Sequence, residues 1–255
     1  MDDQTVSVVS DAGAQDLIMT SAAASTKIFT APSLAQQLPP VAEGCTRLYL
    51  CRHGQTEFNR LHKFQGRGVN TALNEMGQLQ ASYLAQSMRN VPLRAIYSST
   101  LRRARETATI VSQLHQKIEL KHFQDLEEMS FGMFEGNAHE LYDDQVQAIH
   151  HKWLAGDYEA RFPNGENPLE VVARGVAKIN SIMVAFQPQD HVLIVTHGRF
   201  NKVVLAQMLH GGLSKMHDLT QDNTCVNVVD YDHVTRTYKP VLLNSTSHLP
   251  TSPAV

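Results

Sequence analysis

Two stretches of the chain set a histidine and a glycine directly after an apolar run: Leu48-Tyr49-Leu50-Cys51-Arg52-His53-Gly54 and Val192-Leu193-Ile194-Val195-Thr196-His197-Gly198. A continuous apolar run reads as a strand buried on both faces, and in open α/β sheets ligands bind beyond the carboxyl ends of such strands. One such ending alone is more often a surface cation beside a satisfied ring. Two of them can present two imidazoles to one crevice, where a neutral ring nitrogen is a nucleophile. Gly54, without a Cβ, lets the backbone turn sharply at the first tip and lets a ligand come close.

Two further stretches carry charge suited to a phosphate. Ser98-Ser99-Thr100-Leu101-Arg102-Arg103-Ala104-Arg105-Glu106-Thr107-Ala108 follows a short apolar run and opens a helix. A helix N-terminus already favours an anion, and arginine adds bidentate geometry. At about 3.6 residues per turn the three arginines cannot converge, so one is expected inward and two outward. Leu126-Glu127-Glu128-Met129-Ser130-Phe131-Gly132-Met133-Phe134-Glu135-Gly136 sets adjacent carboxylates before aromatics and glycines that could fold a loop over a site. An acidic loop alone is a weak signal.

These stretches need elements to hold them. Asn74 can cap a helix with Met76, Leu79, Tyr83, Leu84 and Met88 on its apolar face, and another helix begins near Thr100 with Leu101, Ala104, Ala108, Val111 and Leu114. Residues 95–97 and 118–123 read as short strands. Asn167-Pro168-Leu169-Glu170 combines a capping Asn, Pro at the first helical position and Glu at the third; Leu169, Val172, Val176, Ile179 and Met183 continue that helix as one apolar face. Phe200, Val203, Val204, Ala206 and Leu209 mark a helix after the second buried strand, ended by Gly211-Gly212, and two closing strands follow over 226–229 and 234–243. The alternation predicts a three-layer α/β/α fold on a mostly parallel sheet. Residues 136–165 form a polar insertion holding the single tryptophan, Trp153. Residues 1–44, rich in Ala, Ser, Thr, Gln and Pro, are expected to be a tail outside the core, with one domain over 45–248 and a second tail over 249–255.

A formal net charge of −3 supplies no basic field for nucleic acid or an anionic membrane. No apolar run reaches the roughly 20 residues of a membrane span. Three cysteines without a CxxC pair suit a reducing compartment. Asp2, Asp3, Asp11 and Asp16 against Lys27 argue against a transit peptide, so a cytoplasmic location is preferred, with organellar import and a homodimer left open. The 13 histidines raise a metallohydrolase, but there is no His-Glu-x-x-His and His150-His151 are adjacent, so neither metal nor cofactor is expected.

Order and spacing of the four stretches resemble the histidine phosphatase superfamily, the branch that includes phosphoglycerate mutases and the phosphatase domain of fructose-2,6-bisphosphatase. The resemblance runs over roughly residues 46 to 248. It implies the fold of that family, with His53 as the nucleophile, Arg52 and Arg103 as phosphate arginines, His197 as the second histidine and Glu128 as the proton donor. It also implies Asn59 as a phosphate contact, with Thr56, Gly198, Arg60 and Arg67 as further substrate-binding candidates. Asn70-Thr71-Ala72-Leu73 departs from the family's usual Asp-x-Pro-Leu, and Asn167 stands where a Ser often follows Gly-Glu. The activity expected is hydrolysis of a small phosphate ester through a phosphohistidine, with His197 protonated. A mutase is the alternative, and a catalytically silent phosphate-binding module the rival. Two features favour the phosphatase: Met129 follows the acid glutamate, where the family's mutases carry a basic residue, and from Asn137 to Gly165 Asp and Glu outnumber Lys and Arg by five to two, which would repel a bisphosphate. Against this, Arg60, Lys63 and Arg67 make the first loop basic.

Overall fold

A computed structural model describes residues 30–250, and its centre is a six-stranded sheet. The strands are β1 (Cys45–Arg52), β2 (Leu93–Ser99), β3 (Leu120–Phe123), β4 (His191–Thr196), β5 (Val226–Asp232) and β6 (Thr237–Ser245), in the order β3-β2-β4-β1-β5-β6. β1, β4, β2 and β3 are mutually parallel, while β5 runs antiparallel to both β1 and β6. Side chains alternate across a strand, so each central strand feeds two cores. Leu48, Leu50, Val192 and Ile194 face one, and Tyr49, Cys51, Leu193 and Val195 the other. That is why both strands read as unbroken apolar runs.

Six of the seven α-helices among the described residues cover the two faces. On one side lie α1 (Leu34–Gln37), α3 (Glu75–Met88) and α4 (Arg102–Ser112); on the other lie α6 (Pro168–Met183), α7 (Gly198–His210) and the insertion helix α5 (Asp143–Leu154). α2 (Glu57–Arg60) is a single turn in the loop after β1. Asn74 and Asn167 both accept the backbone N–H three residues on, and Glu170 closes the capping box on Asn167. Gly211, at φ 66°, ends α7 in the left-handed conformation that glycine adopts without strain. No described helix is long and apolar enough to cross a membrane.

Three expectations change. Leu114 and Leu169, expected on apolar helix faces, are exposed, Leu114 beyond the end of α4. The α3 face is turned: Met76 and Leu79 are exposed, and Gly77, Ala81, Leu84, Ala85 and Met88 are buried, because small residues let α3 lie close to α4. The N-terminal tail also ends before Gly44. Leu34 is only 2% exposed and packs in the core with Tyr49 and Leu84, and the carbonyls of Pro39 and Pro40 accept from the Arg47 guanidinium. Residues 1–29 and 251–255 lie outside the described residues, while His248, inside the described C-terminal end, is buried. Leu34→Ala should therefore cost about 2 kcal/mol or more of unfolding free energy in urea titration, the low end of a core truncation; a loss of a few tenths would return this segment to the surface.

Candidate active site

β1 and β4 pair in parallel with Arg52 opposite Thr196, so the residues that follow them leave the sheet side by side. The His53 backbone N–H donates to the Thr196 carbonyl at 3.0 Å, and the two imidazoles lie 5.2 Å apart, centre to centre. The His53 Nδ1 is 2.7 Å from the Gly54 carbonyl. A carbonyl can only accept, so Nδ1 carries the hydrogen and Nε2 keeps its lone pair. Burial, and then Arg103 and Arg52, hold the His53 ring well below the usual histidine range, so it is neutral and nucleophilic.

Three cationic or dipolar groups surround it. Arg103 is the one inward arginine of its cluster, fully buried, whereas Arg102 and Arg105 are exposed. Its Nη1 donates to Val69 O and its Nη2 to Gln65 O and Gly66 O, while Nε has no partner. Burial lowers it to about 10, which leaves it charged at neutral pH. Arg52 donates to Gln221 O at 2.6 Å, and its Nε too is buried without a partner. His197 is fully buried, and neither ring nitrogen has a partner. Buried donors without a protein partner, held beside one imidazole, suit an incoming anion.

Glu128 reaches this point from the loop after β3. One carboxylate oxygen accepts from Met129 N at 2.8 Å and Phe200 N at 2.7 Å, and the other from Arg199 N at 3.0 Å. The carboxyl is thus seated on the N-terminus of α7. Its loop is clamped by Arg174 of α6, which donates to the carbonyls of Asp125, Glu127 and Glu128 and pairs with Glu166. Nothing in the sequence pattern marks Arg174, which lies on an otherwise ordinary helix.

A cavity of about 560 Å³ opens over these groups, lined by Arg52, His53, Asn59, Glu128 and Gly198. Asn59 accepts at Oδ1 from the Thr56 backbone, the Thr56 hydroxyl and Asn223, leaving its amide N–H₂ for a ligand. Arg103 and His197 are packed beside His53, outside the lining. Thr56 is fully buried as the cap of α2 and also lies outside it. Arg60 and Arg67 are not brought to the site. Arg60 is exposed and paired with Glu57; Arg67 is paired with Glu127 at 2.8 Å and Glu166 at 3.2 Å, so it braces the acid's loop. In the free protein burial, Arg103 and His53 hold the proton affinity of His197 well below the usual range, so the charge expected on it requires an anion beside it. The insertion's acidity does not carry into the cavity either. Of Glu140, Asp143, Asp144, Asp157 and Glu159, only Asp143 lines it, beside His139 and His150. Arg199 and Lys202, unmarked in the sequence reading, line it from α7.

The family model of the histidine phosphatase superfamily, branch 1, matches residues 48–244. The chain belongs to that superfamily. It is 32% identical over 190 residues to a bifunctional protein of Mycobacterium tuberculosis, covering 73% of this chain and 50% of the relative, so it spans about half the length of that relative. Its fold is similar to a mycobacterial glucosyl-3-phosphoglycerate phosphatase solved with VO3, at a TM-score of 0.70 and 25% identity, over 80% of this chain and 100% of the other. It is also similar to a phosphoglycerate mutase of Bacillus anthracis, at a TM-score of 0.69 and 26% identity, over 81% and 96%.

The buried histidines make stability depend on pH. His248 is held near 4 by burial, and His53 and His197 are also lowered, so below pH 6.5 the unfolded chain binds protons that the folded one refuses. Stability is then full above pH 6.5 and lost as pH falls. At pH 5 His248 alone should cost about 2 kcal/mol. Urea unfolding at pH 7 and pH 5 measures this, and a flat profile would contradict it.

Proposed function

We propose that the protein is a phosphomonoesterase acting through a phosphohistidine on a small phosphorylated metabolite. One observation carries the reading: a neutral His53 whose Nε2 lone pair is freed by the Nδ1 bond to Gly54, set beside partnerless donors of Arg52, Arg103 and His197. Nε2 attacks phosphorus in line, a P–N bond forms and the ester P–O bond breaks. Arg52 and Arg103 neutralise the equatorial oxygens, and His197, once the phosphoryl anion is beside it, has the counter-charge to gain a proton. The departing alkoxide takes a proton from Glu128. That proton can arrive with the ester, since a phosphate monoester monoanion carries one. Water then attacks the phosphohistidine, gives its proton back to Glu128, and Nε2 recovers its lone pair. The cationic work falls to side chains, so the mechanism is assigned without a metal.

A second reading, phosphoryl return to a hydroxyl of the same substrate, is favoured by the basic side of the cavity at Arg199 and Lys202. Product analysis with 3-phosphoglycerate and catalytic 2,3-bisphosphoglycerate separates the two. Inorganic phosphate is the product expected; 2-phosphoglycerate forming faster would establish the mutase instead.

Brief incubation with labelled ester should leave an acid-labile, alkali-stable adduct that disappears in His53→Ala; its survival there would remove His53 as nucleophile. Glu128→Gln should slow alkyl phosphates by roughly 10²–10⁴-fold while affecting p-nitrophenyl phosphate far less, because a phenolate leaves without a proton. Equal losses on both would move the acid elsewhere. Neither Glu127, paired with Arg67, nor Glu135, bonded to Gly68 N and Phe131 N, lines the cavity.

A further inference from the structure

The cavity lining holds two further cations, on α7, that the phosphoryl chemistry does not use. Arg199 and Lys202 lie three residues apart on α7, on one helical face, and both line the cavity. Neither forms an ion pair with a carboxylate among the described residues. Arg199 is held in place by uncharged neighbours. It donates to His150 Nε2 at 3.1 Å and stands 5.7 Å over the Trp153 ring. His150 is held near 4, chiefly by burial, so at neutral pH it accepts this bond as a neutral ring. Lys202 has no hydrogen bond or ion pair among the described residues, and burial, Arg199 and Arg52 all lower it against the opposing pull of Asp222. Lys63 is a further cation of the lining, which also holds Arg52.

The acidic groups facing these cations are Asp143 and Asp222 on the cavity wall and Glu128. Glu128 is committed to three backbone N–H groups. Asp222 is exposed and accepts from Asn244 at 2.8 Å, and Asp143 is exposed on the insertion. Like charges crowded in a half-buried wall without a contacting carboxylate are unfavourable until an anion from outside joins them. With the phosphoryl group at His53, that anion belongs to the other end of the substrate.

We propose that Arg199 and Lys202 form a subsite for a second anionic group on the leaving-group side of the ester, making the preferred substrates phosphate monoesters that also carry a carboxylate or a second phosphate. This rests on the phosphohistidine reading for which end of the substrate faces His53. Both groups are small oxyanions that a guanidinium and an ammonium hold by the same charge-assisted bonds.

Two matched pairs of probes test it: 3-phosphoglycerate against glycerol 3-phosphate, and fructose 1,6-bisphosphate against fructose 6-phosphate. With kcat/KM measured by substrate consumption, the doubly anionic member should be preferred at least tenfold in one pair. A preference confined to the first pair assigns a carboxylate, and one confined to the second a phosphate. Arg199→Gln and Lys202→Gln should each cut that preference about tenfold. As a ratio within one preparation, it is insensitive to partial unfolding, and Lys202→Gln leaves the Trp153 contact intact. Equal kcat/KM within both pairs, or a preference that neither substitution moves, would overturn the subsite. Calorimetric binding of the same four compounds to His53→Ala keeps the two readings apart. Preserved discrimination in Kd without turnover by the wild-type enzyme would discard the phosphatase and keep the subsite; equal Kd values within each pair would discard the subsite.

Discussion

The parallel pairing of β1 with β4 is the constraint on which the site depends. With Arg52 opposite Thr196, the two strands end at one level and their histidines follow as neighbours. A slip of one residue would send alternate side chains to the wrong core, so the apolar patterns that bury Leu48, Leu50, Val192 and Ile194 on one face also fix the height of the imidazoles. The loop after β1 completes the placement. A Cβ on Gly54 would lie 2.5 Å from the Gly77 carbonyl, and one on Gly77 would lie 2.0 Å from that of Gln55. Only glycines allow the start of α3 to close on this loop, and the loop's own Gly54 carbonyl then orients the nucleophilic ring.

Charge distinguishes the site from the rest of the interior. The fold buries another arginine, Arg47, but satisfies it with a two-point pair to Asp230, both contacts at 2.8 Å, and with two proline carbonyls. Arg103 has only carbonyls, Arg52 a single one, and each keeps a buried Nε without a partner. Removing a partner from a buried charge costs several kcal/mol, so two arginines held this way are stable only because the framework around them is over-determined. On the proposed mechanism a phosphoryl group fills this deficit. Burial, together with these arginines, also holds both histidines well below their usual range, which on that mechanism preserves His53 as the nucleophile until an anion lets His197 take a proton.

Much of this was legible in the sequence, and the parts that were not share a cause. Strands buried on both faces, the Asn74 and Asn167 caps and the Gly211 stop are local signals, and each stands where the pattern set it. That one arginine of the cluster turns inward followed from helical period; that it is Arg103 came from the family resemblance. What failed depended on which neighbour a residue meets. Leu34 sits in a Pro- and Ala-rich stretch with no periodicity of its own, yet it is buried because Tyr49 and Leu84 offer it a surface. Arg60 and Arg67 are near the motif in sequence, but Glu57 in one case, and Glu127 and Glu166 in the other, claim them first. Arg174 and Arg199 carry no motif, and their roles come largely from the Glu128 loop and from His150 on α5, 46 and 49 residues away. Asn70, at the departure from the family pattern, has a local reason visible only in space: its side chain accepts from Arg102 N at 2.6 Å and caps α4, whose own cap residue, Leu101, cannot.

The charge count of the insertion failed for a related reason, and that bears on which acceptor takes the phosphoryl group. A net charge describes a segment; a substrate meets only the side chains that line the cavity, and four of the five acidic residues between Asn137 and Gly165 do not. Phosphatase and mutase share their first step, so His53, Arg52, Arg103, His197 and Glu128 cannot distinguish them. They part when water competes with the newly formed hydroxyl for the phosphohistidine. A wall that grips an anionic leaving group lengthens its stay and favours return, whereas one that releases it admits water. Arg199 and Lys202 pull toward retention, and Asp143 and Asp222, with no contacting cation among the described residues, pull toward release. On the proposed mechanism, the balance of those four side chains, rather than the catalytic set they surround, decides the fate of the intermediate.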